Sequence, residues 1–168
     1  MSIAESPETV ESTATQPLQP VQVSVERVVS MKAADWQLWS DWQQQNPALA
    51  SPYFRPEFTQ AVSRVRDDVE VAILKTEGKT AGFLPFQRGQ LNIGKPVGGK
   101  LCDFHGCISP AGFAFDARQA IANAQLATWD FEHVPAGQTS FAPFATKRDS
   151  APGLELKDGY AGWCELRR

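Results

Sequence analysis

The sequence predicts an α/β fold of the α+β kind, a mixed and largely antiparallel central sheet flanked by helices. Three observations predict it. Val21-Gln22-Val23-Ser24-Val25 alternates apolar and polar residues, the period of a half-buried strand. Trp36, Trp39, Trp42 and Asn46 recur at spacings of three and four, which places the indoles on one helical face. Val69–Leu74 and Ala81–Phe86 are apolar runs separated by the turn residues Glu77-Gly78-Lys79, a hairpin signature.

Taken in order, residues 1 to about 20 are rich in Ser, Thr, Pro, Gln and Glu and have no Lys, Arg or aromatic residue. Such a segment cannot bury enough apolar surface to offset its ordering entropy and is expected to be a disordered tail. After the first strand, Val28 and Val29 continue the apolar character. The tryptophan helix ends at Asn46-Pro47 because proline disfavours the helical conformation of the residue before it. A second helix is expected from Pro56, a residue suited to the first helical position, with Glu57 favouring the positive helix end. Its expected apolar stripe is Phe58, Ala61, Val62 and Val65. In the hairpin, Pro85 cannot donate to a ladder and marks an edge position or the end of pairing.

Residues 88 to 100 are glycine-rich and read as a loop. Leu101–Ile108 reads as a third core strand. Phe115-Asp116-Ala117-Arg118-Gln119 reads as a helix start capped by Asp116, with Gln119 able to reach back. Ile121, Ala124 and Leu126 supply its apolar side. Thr128–Val134 reads as a short strand, another strand is expected near Leu154–Leu156, and Gly159–Arg168 reads as the start of a further helix. The order is strand, helix, helix, hairpin, strand, helix, strand. The expected domain spans residues 21–158, with residues 159–168 leading onward to a second half.

Composition narrows the function classes. The chain has 168 residues, 42% hydrophobic and 21% charged, with a formal net charge of −3. The charges are scattered, and a nucleic-acid partner is not expected without a basic face. No stretch approaches the roughly 18 apolar residues of a membrane span. The start has neither a basic nor an apolar secretory region. Three cysteines, an odd number in a mid-sized chain, argue against a disulfide framework, so a reducing, cytoplasmic location is expected.

Several segments resemble one family. They are the Trp36–Trp42 helix, Ser51-Pro52-Tyr53-Phe54-Arg55-Pro56-Glu57-Phe58, the strand end Phe83-Leu84-Pro85-Phe86, and Asp103-Phe104-His105-Gly106 after a glycine-rich turn. In order and spacing they are similar to the amino-terminal half of the CelD/BcsL-like acyltransferases associated with bacterial cellulose biosynthesis, which are GNAT-type proteins with two GNAT-like halves in tandem. The resemblance covers roughly residues 21 to 135. It implies a GNAT-like sheet and transfer of an acyl group from acetyl-CoA or another acyl-CoA to an amine or hydroxyl of a small-molecule or saccharide acceptor. It also implies a second GNAT-like half, in cis or in trans.

The chemistry needs a group to take the acceptor's proton and donors for the developing oxyanion. In ordinary GNAT proteins the donor's pyrophosphate rests on the N–H groups of a helix start, reached by an Arg/Gln-x-x-Gly-x-Gly/Ala loop. Here that place is held by Ser109-Pro110-Ala111-Gly112-Phe113-Ala114-Phe115. It has no Arg or Gln at the right offset, a single glycine, and a proline that removes an N–H. No residue of this chain is therefore assigned to the acyl-CoA donor, whose binding is expected to fall to the second half.

The densest cluster of reactive types is Cys102-Asp103-Phe104-His105-Gly106-Cys107. It offers three metal-ligand types, whereas a structural zinc needs four, normally from two separated knuckles. No metal is assigned. Strand alternation would put Cys102 and Cys107 on opposite faces as small buried hydrophobes. The same alternation would put Asp103 and His105 on one face, with Gly106 opening space beside them. Asp103, His105 and Gly106 are therefore the candidate substrate-binding residues, for acceptor binding rather than direct catalysis. The tryptophan stripe reads as core, with sugar stacking as the competing role. Arg88, Lys95 and Lys100 stand among glycines where a phosphate could meet them, or as solvated charges.

Overall fold

A computed structural model of the chain describes residue 18, residues 20–150, and residues 159, 164 and 165. The expected tail before Leu18, the strand near Leu154–Leu156, and most of the helix expected from Gly159 lie outside the described residues. Gly159, Cys164 and Glu165 are helical.

The element types follow one another in the expected order, but the strand after the hairpin forms at Ile93–Lys95 and not at Leu101–Ile108. A five-stranded sheet runs β1-β2-β3-β4-β5, with β1 Gln22–Arg27, β2 Val69–Thr76, β3 Lys79–Arg88, β4 Ile93–Lys95 and β5 Thr128–Trp129. All pairs are antiparallel except β4 with β5. Helices α1 Ala33–Gln45 and α2 Pro56–Ser63 follow β1, and α3 Ala117–Asn123 precedes β5.

The β2–β3 hairpin closes through Glu77 and Gly78, both at positive φ (52° and 76°). That two-residue turn matches the right-handed twist of the flanking strands. The apolar run of β2 serves both faces. Val69, Val71 and Ile73 enter one cluster with Trp39, Leu49, Phe54 and Phe83. Ala72 and Leu74 enter another with Leu84, Phe86, Phe115, Trp129 and Phe141. The sheet is thus covered by α1 and α2 on one side, and by α3 with the 3-10 segment Thr139–Phe144 on the other.

Trp39 anchors the first face. It is fully buried, stacks on Phe83 with centroids 5.3 Å apart, and donates its indole N–H to Phe54 O at 2.7 Å. Burying a side chain of that size contributes about 4–6 kcal/mol at the usual coefficient per apolar area. The core reading of the stripe holds for Trp39, while Trp36 and Trp42 are only partly buried and pack against it. The stripe expected on α2 is rotated. Its buried residues are Pro56 and Thr59, Phe58 and Val62 flank them, and Ala61 and Val65 face solvent. Val29 is also exposed, at 87%.

The second half departs more. Leu101–Ile108 is not a strand. It passes from a 3-10 turn at Gly99–Leu101 into irregular chain that touches the sheet at one bridge, where Ile108 and Phe83 exchange both backbone bonds. The strand that follows the hairpin, β4, lies instead within the glycine-rich stretch, between β3 and β5. A Cβ at Gly94 would come within 2.8 Å of Leu126 and 2.9 Å of Trp129, so only glycine lets these side chains cover the strand. The strand expected over Thr128–Val134 is only two residues long, pairing in parallel with Ile93 and Gly94 of β4.

Phe83 and Gln87 both bond toward the β4 side of β3, at the Ile108 bridge and at Lys95. Pro85, two residues from each, also faces that side, and its missing N–H falls where the neighbouring chain has left the sheet. The expected end of pairing is therefore local, an interruption inside β3 rather than its end.

Candidate functional site

The chain that leaves the sheet after Lys95 returns at Ile108 and encloses a small cavity beside Pro85. The cavity has about 20 Å³ open to the centre of a water molecule, and its lining includes Tyr53, Thr59, Cys102, Phe104, His105 and Gly106. That volume suits a single water-sized guest. Two buried polar atoms on its lining residues, Thr59 Oγ1 and His105 Nε2, have no hydrogen-bond partner among the described residues.

The three candidate residues do not share a strand face, because the segment is not a strand. Asp103 is exposed, whereas His105 is buried at 6%. His105 Nδ1 lies 2.5 Å from Glu132 O and 3.3 Å from Glu132 N. The shorter contact is read as a hydrogen bond donated by Nδ1–H to the Glu132 carbonyl. Burial pushes the imidazole below its ordinary pKa, which favours the neutral ring.

Gly106 does not open a cleft; it admits Gln138. A Cβ at Gly106 would stand 2.5 Å from Gln138 Oε1, and its φ of 149° disfavours any side chain. The Gln138 amide then acts as a surrogate strand. Its Oε1 accepts from Cys107 N at 2.8 Å and its Nε2 donates to Cys107 O at 3.0 Å.

Asp103 sits outside the cavity near Tyr53. Its carboxylate raises the Tyr53 phenol above its ordinary pKa, so the hydroxyl keeps its proton. Cys102 and Cys107 are both buried, as expected of small core residues, although the strand alternation does not apply because the segment is not a strand. Burial pushes the Cys107 thiol up to about 12, and Cys102 is also raised, chiefly by burial, while its thiol donates to Phe104 O at 3.0 Å. Both are small core residues, not nucleophiles. Among the described residues no group of three or more His, Cys, Asp or Glu could hold a metal ion.

The loop expected in the phosphate-binding place leads into α3, whose start already carries a negative group. Asp116 Oδ1 accepts from Gln119 N at 3.0 Å. The cap is the expected one, but Gln119 bonds through its backbone. Arg88 is not available to a phosphate. It pairs with Glu70 at 2.8 Å and donates to Ala124 O and Gln125 O at the end of α3.

A second concavity lies between α1 and α2, a groove of about 310 Å³ lined by Ala33, Trp36, Gln37, Ser40, Pro56, Glu57 and Gln60. Sequence reasoning singled out Trp36 for the core and missed its polar neighbours. Spacings 33, 36, 37, 40 and 56, 57, 60 put each set on one helix side, a signal that was present in the sequence. What the sequence lacked was the pairing of the two helices.

Among the described residues no helix is long and apolar enough to cross a membrane. Comparison of the chain with protein-family models, curated proteins and solved structures finds no match.

Proposed function

We propose that this chain is the amino-terminal half of a GNAT-type acyltransferase, supplying scaffold and acceptor-side surface to a second GNAT-like half in cis or in trans. The observation that carries the reading is the order strand, helix, helix, hairpin, strand, helix, strand, laid on one sheet as β1-β2-β3-β4-β5. The donor, acetyl-CoA or another acyl-CoA, is assigned to the second half. Two features of α3 support that division: Asp116 places a carboxylate at the helix start, and Pro110 removes an N–H from the loop before it.

On the acceptor side, exposed Asp103 and half-buried Tyr53 provide a polar pair, and His105 provides a buried neutral imidazole. The cavity admits a water-sized guest, so His105 acts on an amine or hydroxyl acceptor through one intervening molecule rather than by contact. We place the activity in the cytoplasm, a reading supported by the free thiols of Cys102, Cys107 and Cys164. A second reading, a non-catalytic binding domain that keeps the fold, is favoured by one observation: the Gln138 amide fills the space at Gly106.

Calorimetric titration with acetyl-CoA tests the division of labour. The expected result is no saturable binding by this chain, and micromolar binding overturns it. Thiol release from acetyl-CoA by a protein extended along the following reading frame tests the reaction. A frame without a Gly-rich loop before a helix, or no turnover with amine or saccharide acceptors, favours the binding domain.

A further inference from the structure

The groove between α1 and α2 brings an indole together with polar side chains of both helices. We infer that Trp36, Gln37, Ser40, Glu57 and Gln60 form a saccharide-binding site, in which a pyranose ring lies on the Trp36 indole and its hydroxyls meet the polar side chains of both helices. The inference does not rest on the acyl-transfer reading.

Four observations carry it. The volume, about 310 Å³, reaches the range of small-ligand sites, about 300–1,000 Å³. Trp36 is only partly buried, and it packs at 5.4 Å against the fully buried Trp39, so its ring is positioned before any ligand arrives. The polar side chains are oriented by their own neighbours and retain capacity. Gln37 Nε2 donates to Asp41 at 2.8 Å, leaving its carbonyl oxygen and second N–H. Ser40 Oγ accepts from Gln44 at 3.0 Å, leaving its O–H to donate. Gln60 projects from α2, where only its backbone carbonyl accepts from Ser63.

The fourth observation selects the ligand's charge. The sole ionised residue lining the groove, Glu57, is held by two bonds of 3.0 Å from Arg55. The lining has no lysine, arginine or histidine to recognise a phosphate or uronate. An aromatic face beside amides, a hydroxyl and a compensated carboxylate matches a polyol with a flat C–H face. An all-equatorial glucopyranose presents such a face.

Cellohexaose is a suitable probe, titrated into the labelled chain without acyl-CoA while the indole N–H resonances are followed. The Trp36 resonance, identified by its loss in Trp36→Phe, is expected to shift saturably at millimolar ligand. Gln60→Ala and Gln37→Ala are expected to weaken binding about three- to tenfold each, and Trp36→Ala more than about tenfold. If Trp36→Ala does not fold, the two glutamine variants decide. No saturable shift, binding unchanged in both glutamine variants, or a response confined to an anionic oligosaccharide or to a peptide overturns the inference. Failure here leaves the acyl-CoA titration and thiol-release results unaffected, so the two readings stand or fall separately.

Discussion

Residues 22–88 and 89–150 share one sheet but are held by different bonds. In the first region β1, β2 and β3 run six to ten residues each, and their backbone groups pair in long ladders, with one register shift at Leu74/Lys75. In the second, β4 has three residues, β5 two and α3 seven. Side chains replace the missing ladder there. Gln138 pairs both backbone groups of Cys107, Ser140 Oγ accepts from Phe115 N at 2.8 Å, His105 bonds Glu132, and Arg88 reaches across to the end of α3. The difference teaches where each region is vulnerable. Truncating a side chain in the first leaves a hole; truncating a polar one in the second leaves backbone groups unpaired.

Five stability measurements, ranked from largest to smallest effect, break or sharpen this contrast. The largest effect is expected for Trp39→Ala, which empties the centre of the α1–α2 face and unpairs Phe54 O, for a loss of about 3–5 kcal/mol in denaturant unfolding. A loss below about 1 kcal/mol would contradict the core role of the stripe. Next is Gly106→Ala. The new Cβ must displace the Gln138 amide at a φ that already resists a side chain, for a loss of about 2–4 kcal/mol.

Gln138→Ala is expected to cost about 1–3 kcal/mol and to speed hydrogen exchange at the Cys107 amide. Because both substitutions remove the same two bonds, the double variant should lose less than their sum. Strict additivity would show that Gly106 and Gln138 are not coupled. Asp116→Ala removes a cap from the short α3 and is expected to cost about 1 kcal/mol, with Asp116→Asn retaining most of it.

The smallest effect is a pH slope. Burial lowers the folded-state pKa of His105 below its ordinary value of 6.5, so the unfolded chain binds the proton more readily. Stability is therefore expected to be full above that value and to fall as pH drops through it. His105→Gln should flatten this part of the profile. An unchanged slope would assign it to other groups.

The legibility of the chain follows the same division. The periodic spacing of Trp36, Trp39 and Trp42, the β2–β3 hairpin with its Glu77-Gly78 turn, and the Asp116 cap were all readable, because each depends on residues within one helical turn or one hairpin. The candidate cluster at Asp103–Gly106 was readable as chemistry but not as geometry. Its apolar run suggested a strand, and nothing near it in sequence announced that Gln138 would replace the neighbouring strand. The groove at Trp36 was half legible, since each helix shows its own set of polar neighbours and neither shows the other.

The sequence by itself therefore determined the elements from β1 through the β2–β3 hairpin, the apolar face of α1, the hairpin turn, the start of α3 and the α+β class, since local periodicity and turn chemistry act over a few residues. Tertiary structure alone decided that β4 forms at Gly94, that 101–108 stays out of the sheet, that His105 is buried beside a water-sized cavity, and that two helices leave a groove between them. Those outcomes depend on contacts between residues as far apart as Cys107 and Gln138, or Gly94 and Trp129. Such contacts are chosen by competition for space and hydrogen bonds in the assembled core, which no local window of sequence contains.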